Sequence, residues 1–253
     1  AIVSRLKQFE LSLPTKHQAE AVFTISDVLA DLFSDAGYPK QRILPIYYGY
    51  DGKLFQPTFE PSPTPLVVMH GSLDHHHIGE FGVSALRQIY AKRPDTKFRF
   101  VGHKTDALLK VLDALKGHVP ESAIECTGFV PYAEVANKIQ NATVGIVPYA
   151  ASTGAHCTVV AKTVEYAAMG IPMVCTPLRG TVRYWGTNPI IRFSNMNPDS
   201  FAERVLSWFD EPKVARLAWA KAASEKVRQE LDWVPFSQCV VERLEKIHKE
   251  RKV

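Results

Sequence analysis

The 253-residue sequence has few cysteines and no long apolar run, and these absences exclude several classes of protein. No apolar stretch approaches the roughly 18 residues that a membrane-spanning helix needs, and the first residues lack the layout of a signal peptide. The cysteines form no Cys-x-x-Cys pair, which indicates buried, unpaired thiols in a reducing compartment. We therefore expect a cytoplasmic protein whose four thiols are Cys126, Cys157, Cys175 and Cys239.

Strong charge of either sign is also lacking, since the formal net charge is +4. The lysines and arginines are dispersed and form no dense basic stripe, so nucleic acid is not an expected partner. One basic run ends the chain, at Lys246, Lys249, Arg251 and Lys252. We interpret it as a solvated helix end, with peripheral contact to the inner face of an anionic membrane as the alternative.

From Pro65 onward, short apolar runs alternate with amphipathic helical patterns. This alternation predicts an α/β fold with a Rossmann-like, doubly wound parallel sheet and extra helices after it. In such sheets ligands bind beyond the carboxyl ends of the strands, in segments expected here to be loops. The predicted strands are 66–70, 97–102, 123–127, 144–147, 172–175 and 190–193. The predicted helices are 82–92, 106–116, 133–140, 160–169, 198–210, 212–231 and 234–252. The loops expected to border the ligand are 70–79, 102–105, 128–132, 148–158 and 177–187.

The first sixty residues follow a different pattern. A helix is predicted near 15–21, a strand at 21–26, a helix at 27–36 and a second strand at 43–48. A proline-rich stretch, 57–65, is typical of a linker. We predict three units, namely residues 1–62, 63–232 and 233–253, and the Ala at position 1 leads us to expect a missing segment upstream.

The most informative stretch runs from Lys162 to Thr176. It predicts a helix that ends at a glycine and a buried strand that begins at a proline. Lys162 and Glu165 lie near the start of this otherwise apolar helix. A carboxylate at that place can accept both hydroxyls of a ribose, while the helix N-terminus can hold a diphosphate. From these residues alone, a surface ion pair is an equally good interpretation.

This stretch resembles the Glu-x-x-Ala-x-Gly-x-Pro-Val motif of family 4 (group 1) glycosyltransferases, in the variant form Lys-x-x-Glu-Tyr-x-Ala-x-Gly-x-Pro-Val. Gly71-Ser72-Leu73, Phe98 to Gly102 and Gly128 to Pro131 are similar to further landmarks of that family, in the same order. The resemblance implies one half of a GT-B fold: the nucleotide-sugar-binding domain, the C-terminal helix that crosses back to the N-terminal domain, and the end of that acceptor-side domain, which is otherwise missing.

The resemblance also implies an activity, which is transfer of a sugar from a nucleoside-diphosphate sugar to an acceptor hydroxyl with retention. The expected partners are the nucleotide sugar, a glycan or lipid-linked acceptor, and the missing N-terminal domain. No cofactor and no metal are implied. The chain alone is expected to bind nucleotide and to turn over poorly, and the catalytic residues stay unassigned because the missing domain is expected to contribute.

Roles for individual residues follow from the same resemblance. Glu165 would bind the donor ribose, and the backbone near Phe129 and Val130 would flank the base. Gly71 and Ser72 would approach the diphosphate. The segment that contains His156, Cys157 and Thr158 would lie against the sugar and phosphates. Candidates to replace the basic residues that the glycine loop of the family carries are His75, His76, His77, His103, Lys104 and Lys162.

Two departures from the family keep alternatives open. Cys157 stands where the family often carries a second Glu, and a thiol cannot replace the hydrogen bonds of a carboxylate to sugar hydroxyls. Ser72 stands where the family carries an Arg. The alternatives are a module that binds nucleotide sugar without catalysis and another GT-B reaction such as sugar-nucleotide epimerisation. The run Asp74 to His77 resembles a metal cluster, but neighbours on one short loop rarely share a metal, so no metal site is predicted.

Overall fold

The structure is a computed structural model that describes residues 2–250, with the side chains of residues 6–249. Within these residues it has two parallel sheets and helices around them. The strands are β1 (Val22–Thr24), β2 (Ile43–Pro45), β3 (Leu66–His70), β4 (Lys97–Val101), β5 (Ile124–Cys126), β6 (Val144–Val147), β7 (Met173–Cys175) and β8 (Ile191–Phe193). The α-helices are α1 (Ile2–Lys16), α2 (Asp27–Asp35), α3 (Glu80–Lys92), α4 (Asp106–Leu115), α5 (Tyr132–Ile139), α6 (Thr153–His156), α7 (Ala161–Ala168), α8 (Arg179–Trp185), α9 (Pro198–Phe209), α10 (Lys213–Leu231) and α11 (Trp233–Glu250).

The larger sheet contains β3 to β8 in the order β5-β4-β3-β6-β7-β8, and every neighbouring pair is parallel. This is the strand order of a doubly wound Rossmann-type sheet, so the predicted α/β fold is confirmed, with α10 and α11 as extra C-terminal helices. The order reverses between β3 and β6, where Val67 pairs with Val144. The carboxyl ends of these two strands therefore border the crevice in which such sheets bind ligands.

The core lies on both faces of this sheet, because successive side chains of a strand point to opposite faces. Val67 and Met69 of β3 join the cluster that contains Trp208 and Phe201 of α9. Leu66 and Val68 of the same strand join the other cluster, with Tyr166 of α7 and the buried side of α10. All five residues of β3 are buried, which explains why Leu66 to Met69 are apolar, and His70 is the one polar side chain buried in this strand.

The N-terminal segment forms a small unit in which β1 and β2 pair in parallel and α2 packs beside them. The chain then enters the main core, where Tyr50 and Phe55 are almost fully buried. Tyr50 N–H donates to the Leu231 carbonyl at 2.9 Å, and Arg243 of α11 donates to the Gln41 carbonyl at 3.3 Å. Residues 41–50 therefore contact the C-terminal helices α10 and α11. The three-unit division stays a prediction, and its last residues 251–253, with Arg251 and Lys252, lie outside the described range.

The first helix differs from the prediction of a helix at 15–21. α1 spans Ile2–Lys16 and contains Pro14 in its last turn. A proline inside a helix removes one N–H and commonly marks a boundary, so the sequence favoured a helix that begins beyond it. Gln18, with φ 49°, lies instead in the turn that follows the helix.

Two helices occupy segments that were expected to be loops. α6 has only four residues, and its start is fixed by Ser152, whose side chain accepts from Ala155 N at 3.0 Å. α8 contains Gly180, which lowers its intrinsic helix preference. Any Cβ on Gly180 would lie 2.4 Å from the carbonyl oxygen of Thr158, so tertiary contact outweighs local preference here.

The exposure of the thiols and the character of the helices can be compared with the expectations from the sequence. Only Cys175 is buried, whereas Cys126 and Cys157 are partly exposed and Cys239 is exposed, so the expectation of buried thiols is wrong for three of them. All four are unpaired. Among the helices of residues 2–250, none combines the length and the apolar character needed to cross a bilayer.

Candidate functional site

The glycine loop after β3 is built by close approach of three strand ends. Gly71 has φ +87° and its N–H donates to the Val101 carbonyl at 2.8 Å. Gly102, at the end of β4, has φ +152°, and a Cβ there would lie 2.2 Å from the carbonyl oxygen of Gly71. Its N–H donates to the Gly128 carbonyl beyond β5 at 3.2 Å. Only glycine fits at Gly102, and this fit brings the loops together at the crevice.

Lys162 lies against this glycine loop. A Cβ on Gly71 would be 3.0 Å from both Cε and Nζ of Lys162. The lysine is 8% exposed, and its ammonium donates to the Tyr149 hydroxyl, beyond the end of β6. Burial lowers the pKa of Lys162 to about 8, against the opposing effect of Glu165 and Asp74. The interpretation of Lys162 and Glu165 as a surface ion pair is therefore wrong.

Glu165 lies one helical turn further along α7, and its carboxylate is held by the last residue of β3. Its Oε2 is 2.6 Å from Nε2 of His70, the last residue of β3. Burial and the nearby charge of Glu165 raise the pKa of Tyr132, at the start of α5. Since the Glu165 side chain is only 14% exposed, His70 is the donor that satisfies a nearly buried acceptor.

A cleft of about 480 Å³ lies along the N-terminus of α7, and Tyr149, which accepts from Lys162, is one of its lining residues. His77 forms one wall, with Nδ1 2.7 Å from Asp74 Oδ1 and its ring 4.3 Å from that of Tyr149. Burial and nearby Lys162 lower the pKa of His77, which favours its neutral form. The residues that line the cleft are Tyr48, His76, His77, Tyr149, Ala150, Ser152, Gly154, Ala155, Thr158, Val159, Val160 and Ala161.

The residues predicted to lie near the base are more exposed. Phe129 is 66% exposed, and its ring centroid is 4.7 Å from that of His103. Together they form an open aromatic surface on the side of β4 and β5. Val130 packs against the main core instead. Lys104 lines a separate groove with Leu112 and Cys126, so the structure does not bring it into the cleft.

The segment before α7 contacts the N-terminal unit. His156 Nδ1 accepts from the backbone N–H of Arg179 at 3.1 Å, and the Cys157 carbonyl accepts from the Ser26 hydroxyl at 2.5 Å. Burial raises the pKa of the Cys157 thiol, so this side chain is not an activated nucleophile. Of the three residues predicted here, only Thr158 lines the cleft.

The arrangement is suited to an anionic ligand that carries hydroxyls. A buried ammonium and a glycine loop can face phosphate groups, while a fixed carboxylate one turn away can accept from hydroxyls. The structure thus brings Gly71, Lys162 and Glu165 together, with exposed Ser72 beside them. No group of three or more His, Cys, Asp or Glu side chains placed to hold a metal occurs among the described residues.

Four residues of this site received no donor-binding role in the sequence analysis, although they lie in the loops predicted to border the ligand, namely His70, Asp74, Tyr132 and Tyr149. Each lies at or just beyond the carboxyl end of a strand or at the start of the following helix. This position is the feature of the sequence that indicates a ligand-binding residue. His70 ends an apolar strand and is 95 residues from its partner Glu165. Position relative to the strands could have identified these residues, but their pairing could not have been inferred from spacing.

Comparison with known protein families assigns the chain to one of them. The family described as glycosyl transferases group 1 matches residues 64–211, which is more than half of the chain. The chain belongs to this family. The match covers β3 through α9, with the glycine loop, Lys162 and Glu165. No curated protein sequence matches the chain.

Solved structures of glycosyltransferases share the fold. Anabaena Alr3699/HepE, crystallised in complex with UDP, is 18% identical, with a TM-score of 0.74 over 90% of this chain and 64% of that protein. A glycosyltransferase from Rickettsia africae is 16% identical, with a TM-score of 0.75 over 90% of this chain and 64% of that protein. Sucrose-phosphate synthase from Thermosynechococcus elongatus is 15% identical, with a TM-score of 0.72 over 91% and 59%. The chain thus spans 59–64% of the length of these proteins, which is less than two thirds.

Proposed function

We propose that this chain is the donor-binding half of a glycosyltransferase that moves a sugar from a nucleoside-diphosphate sugar to an acceptor hydroxyl, with retention at the anomeric carbon. The observation that carries the proposal is the meeting of Lys162, Glu165 and Gly71 at the point where the strand order reverses. Family membership supports sugar transfer, and the UDP complex of HepE supports a nucleotide ligand.

Each part of the donor would contact a different element. The ribose would bond to Glu165, the diphosphate would face Lys162 and the glycine loop, and the sugar would occupy the cleft beside His77 and Thr158. The base would lie on the open aromatic surface of Phe129 and His103. Lys162 would also stabilise the charge that develops on the departing diphosphate.

We further propose that a second Rossmann-type domain holds the acceptor. In GT-B proteins of this kind the cleft faces such a domain, and the cleft here opens beside Tyr48 of the N-terminal segment. The acceptor would be a glycan or a lipid-linked sugar, and the reaction would take place in the cytoplasm. No cofactor or metal enters this scheme, in which the donor substrate supplies the leaving group.

Calorimetric titration of the chain with UDP, GDP and ADP tests donor binding. We expect one of them to bind, and Glu165→Ala to weaken it about 10- to 100-fold, because hydrogen bonds to a charged acceptor contribute about 1.5–3 kcal/mol each. Glu134→Ala is the matched control, since it removes the same charge from α5. Equal effects of the two substitutions, or binding of no nucleotide, would contradict the proposal.

A turnover assay separates the proposal from its alternatives. A protein that joins this chain to an acceptor-binding domain should release nucleoside diphosphate only when an acceptor is present. Release without acceptor would favour hydrolysis, and conversion of the donor into a different nucleotide sugar would favour epimerisation. Binding without turnover would favour a module that has lost catalysis. The anomeric configuration of the product, read by NMR, decides between retention and inversion.

A further inference from the structure

His70 is a buried polar residue to which the proposed function gives no role. It is 3% exposed and is the last residue of β3, directly before Gly71. Its Nε2 is 2.6 Å from Glu165 Oε2, and its Nδ1 has no hydrogen-bond partner among the described residues. The only polar contact that the structure gives this imidazole is therefore the carboxylate predicted to bind ribose.

The imidazole is fixed in orientation. Its ring centroid is 4.7 Å from that of Tyr166, with the planes at 81°. Tyr166 is fully buried, and its hydroxyl donates to the Val68 carbonyl at 2.9 Å. Since a carboxylate only accepts, the hydrogen bond places the proton of His70 on Nε2. β3 and Tyr166 thus hold a rigid donor against one oxygen of Glu165.

A rigid donor has a specific effect on a carboxylate. Without it, the carboxylate of Glu165 could rotate about its last bond, and binding a diol would require that rotation to be stopped. With Oε2 held by His70, the plane of the carboxylate is set before the ligand arrives. The lone pairs that remain can still accept from two neighbouring hydroxyls. Such fixed orientation strengthens recognition without a new contact to the ligand.

We propose that His70 is a positioning residue, whose Nε2–H holds the Glu165 carboxylate in the orientation that accepts both ribose hydroxyls and so sets the preference for ribonucleotides over deoxyribonucleotides. This inference rests on the proposed function. The end of β3 would then take part in the recognition of ribose, whereas the glycine loop that follows it would face the diphosphate.

The test compares UDP, GDP and ADP with their 2′,3′-dideoxy analogues by calorimetry. His70→Asn and His70→Gln form a matched pair, because both are amides but only Gln has the reach of Nε2. We expect His70→Asn to weaken the ribonucleotide about tenfold, the effect of a misplaced charged hydrogen bond, and to leave the dideoxy analogue almost unchanged. His70→Gln should restore most of the difference.

A control separates positioning from stability. Ser224→Ala removes a buried hydrogen bond, from the Ser224 hydroxyl to the Ala168 carbonyl at 2.9 Å, that does not involve His70 or Tyr166. It should therefore lower the free energy of unfolding and leave the ratio of the two affinities unchanged. Equal weakening of both nucleotides by His70→Asn, or the same ratio in the Asn and Gln variants, would overturn the positioning role alone. If the folded wild-type chain binds no nucleotide, both the proposed function and this inference fail.

Discussion

At the scale of single residues, the site combines groups that are costly to bury with groups that make burial tolerable. Lys162 is a charged side chain in a nearly closed place, and its stem lies against Gly71. A buried charge needs a partner, and here Tyr149 is a neutral one. The charges of Glu165 and Asp74 offset only part of the cost of burial, and a diphosphate would supply a further counter-charge, so this cost is linked to binding.

The stability of the chain should depend on pH through Lys162. Its pKa in the folded chain is about 8, below the ordinary value of 10.5, so the unfolded state holds the proton more tightly. The penalty is complete below pH 8 and is relieved as pH rises from 8 to 10.5, so the free energy of unfolding rises there. Relative to Lys162→Met, the gain should be about 3 kcal/mol, measured by urea denaturation across that range.

Nucleotide binding should show the opposite dependence. A bound diphosphate favours the ammonium form, so affinity should fall as pH rises through 8, and binding near pH 8.5 should take up a proton. Calorimetry in two buffers of different ionisation enthalpy measures that uptake. In Lys162→Met the uptake should disappear and the affinity should be weak at every pH. Proton uptake that persists in this variant would assign the effect to another group.

The glycine loop offers a second residue-scale prediction. Gly102→Ala should destabilise the chain by about 2–4 kcal/mol, because strained backbone adds to a 2.2 Å clash with the Gly71 carbonyl. It should also weaken nucleotide binding by moving Gly71. Gly117→Ala is the control, since φ is +75° but no atom lies within 4 Å, and it should cost only about 1–2 kcal/mol. Normal nucleotide affinity in Gly102→Ala would contradict the role of this contact.

At the scale of elements, the packing of α7 on the sheet decides where Lys162 and Glu165, the two candidate donor-binding residues, lie. Gly145 of β6 lies under the ring of Tyr166, and a Cβ there would be 2.6 Å from three ring atoms. Tyr166 directly follows Glu165 in α7, so a displacement of the Tyr166 ring would also displace the Glu165 carboxylate. The helix is therefore placed by one small residue in the strand and one large residue in the helix.

A double-mutant cycle tests this packing. Gly145→Ala should cost about 1–3 kcal/mol in urea denaturation, as overpacking of a core does. In a Tyr166→Leu background the same substitution should cost clearly less, because the clashing ring is gone. Additive costs would mean that the two residues do not share the strain. Nucleotide affinity should also be measured on the same variants. Gly145→Ala alone should weaken nucleotide binding, because displacement of the Tyr166 ring would move Glu165.

The sequence predicted the elements of the sheet much better than the short helices around the site. β3 and β6 are continuous apolar runs with sharp ends, and their predicted bounds are those of the structure. α6 and α8 were missed, because a serine cap and contact with Thr158 stabilise them rather than an apolar period. Lys162 and Glu165 could be found from their motif. The bond of Glu165 to His70 could not, since it depends on how α7 lies over β3.

At the scale of the whole molecule, the Rossmann-type domain is packed against segments that precede and follow its sheet. The segment between β2 and β3 supplies Tyr50 and Phe55 to the main core, although it precedes the predicted boundary at residue 62. Tyr50 also bonds through its backbone with Leu231 and Trp233, at the junction of α10 and α11. The segment between β2 and β3 and the junction of α10 and α11 thus pack on the same side of the domain.

Two truncated chains test how the predicted units depend on each other. Residues 46–253 keep Tyr50 and Phe55, whereas residues 63–253 lose both and leave their places in the core empty. Removal of one large buried aromatic side chain costs about 3–5 kcal/mol, which is a large part of the stability of a typical domain. We expect residues 46–253 to unfold cooperatively in urea and residues 63–253 to be only marginally folded. Equal midpoints and equal slopes for the two chains would show instead that the domain is complete from residue 63 and that the aromatic segment merely covers its surface.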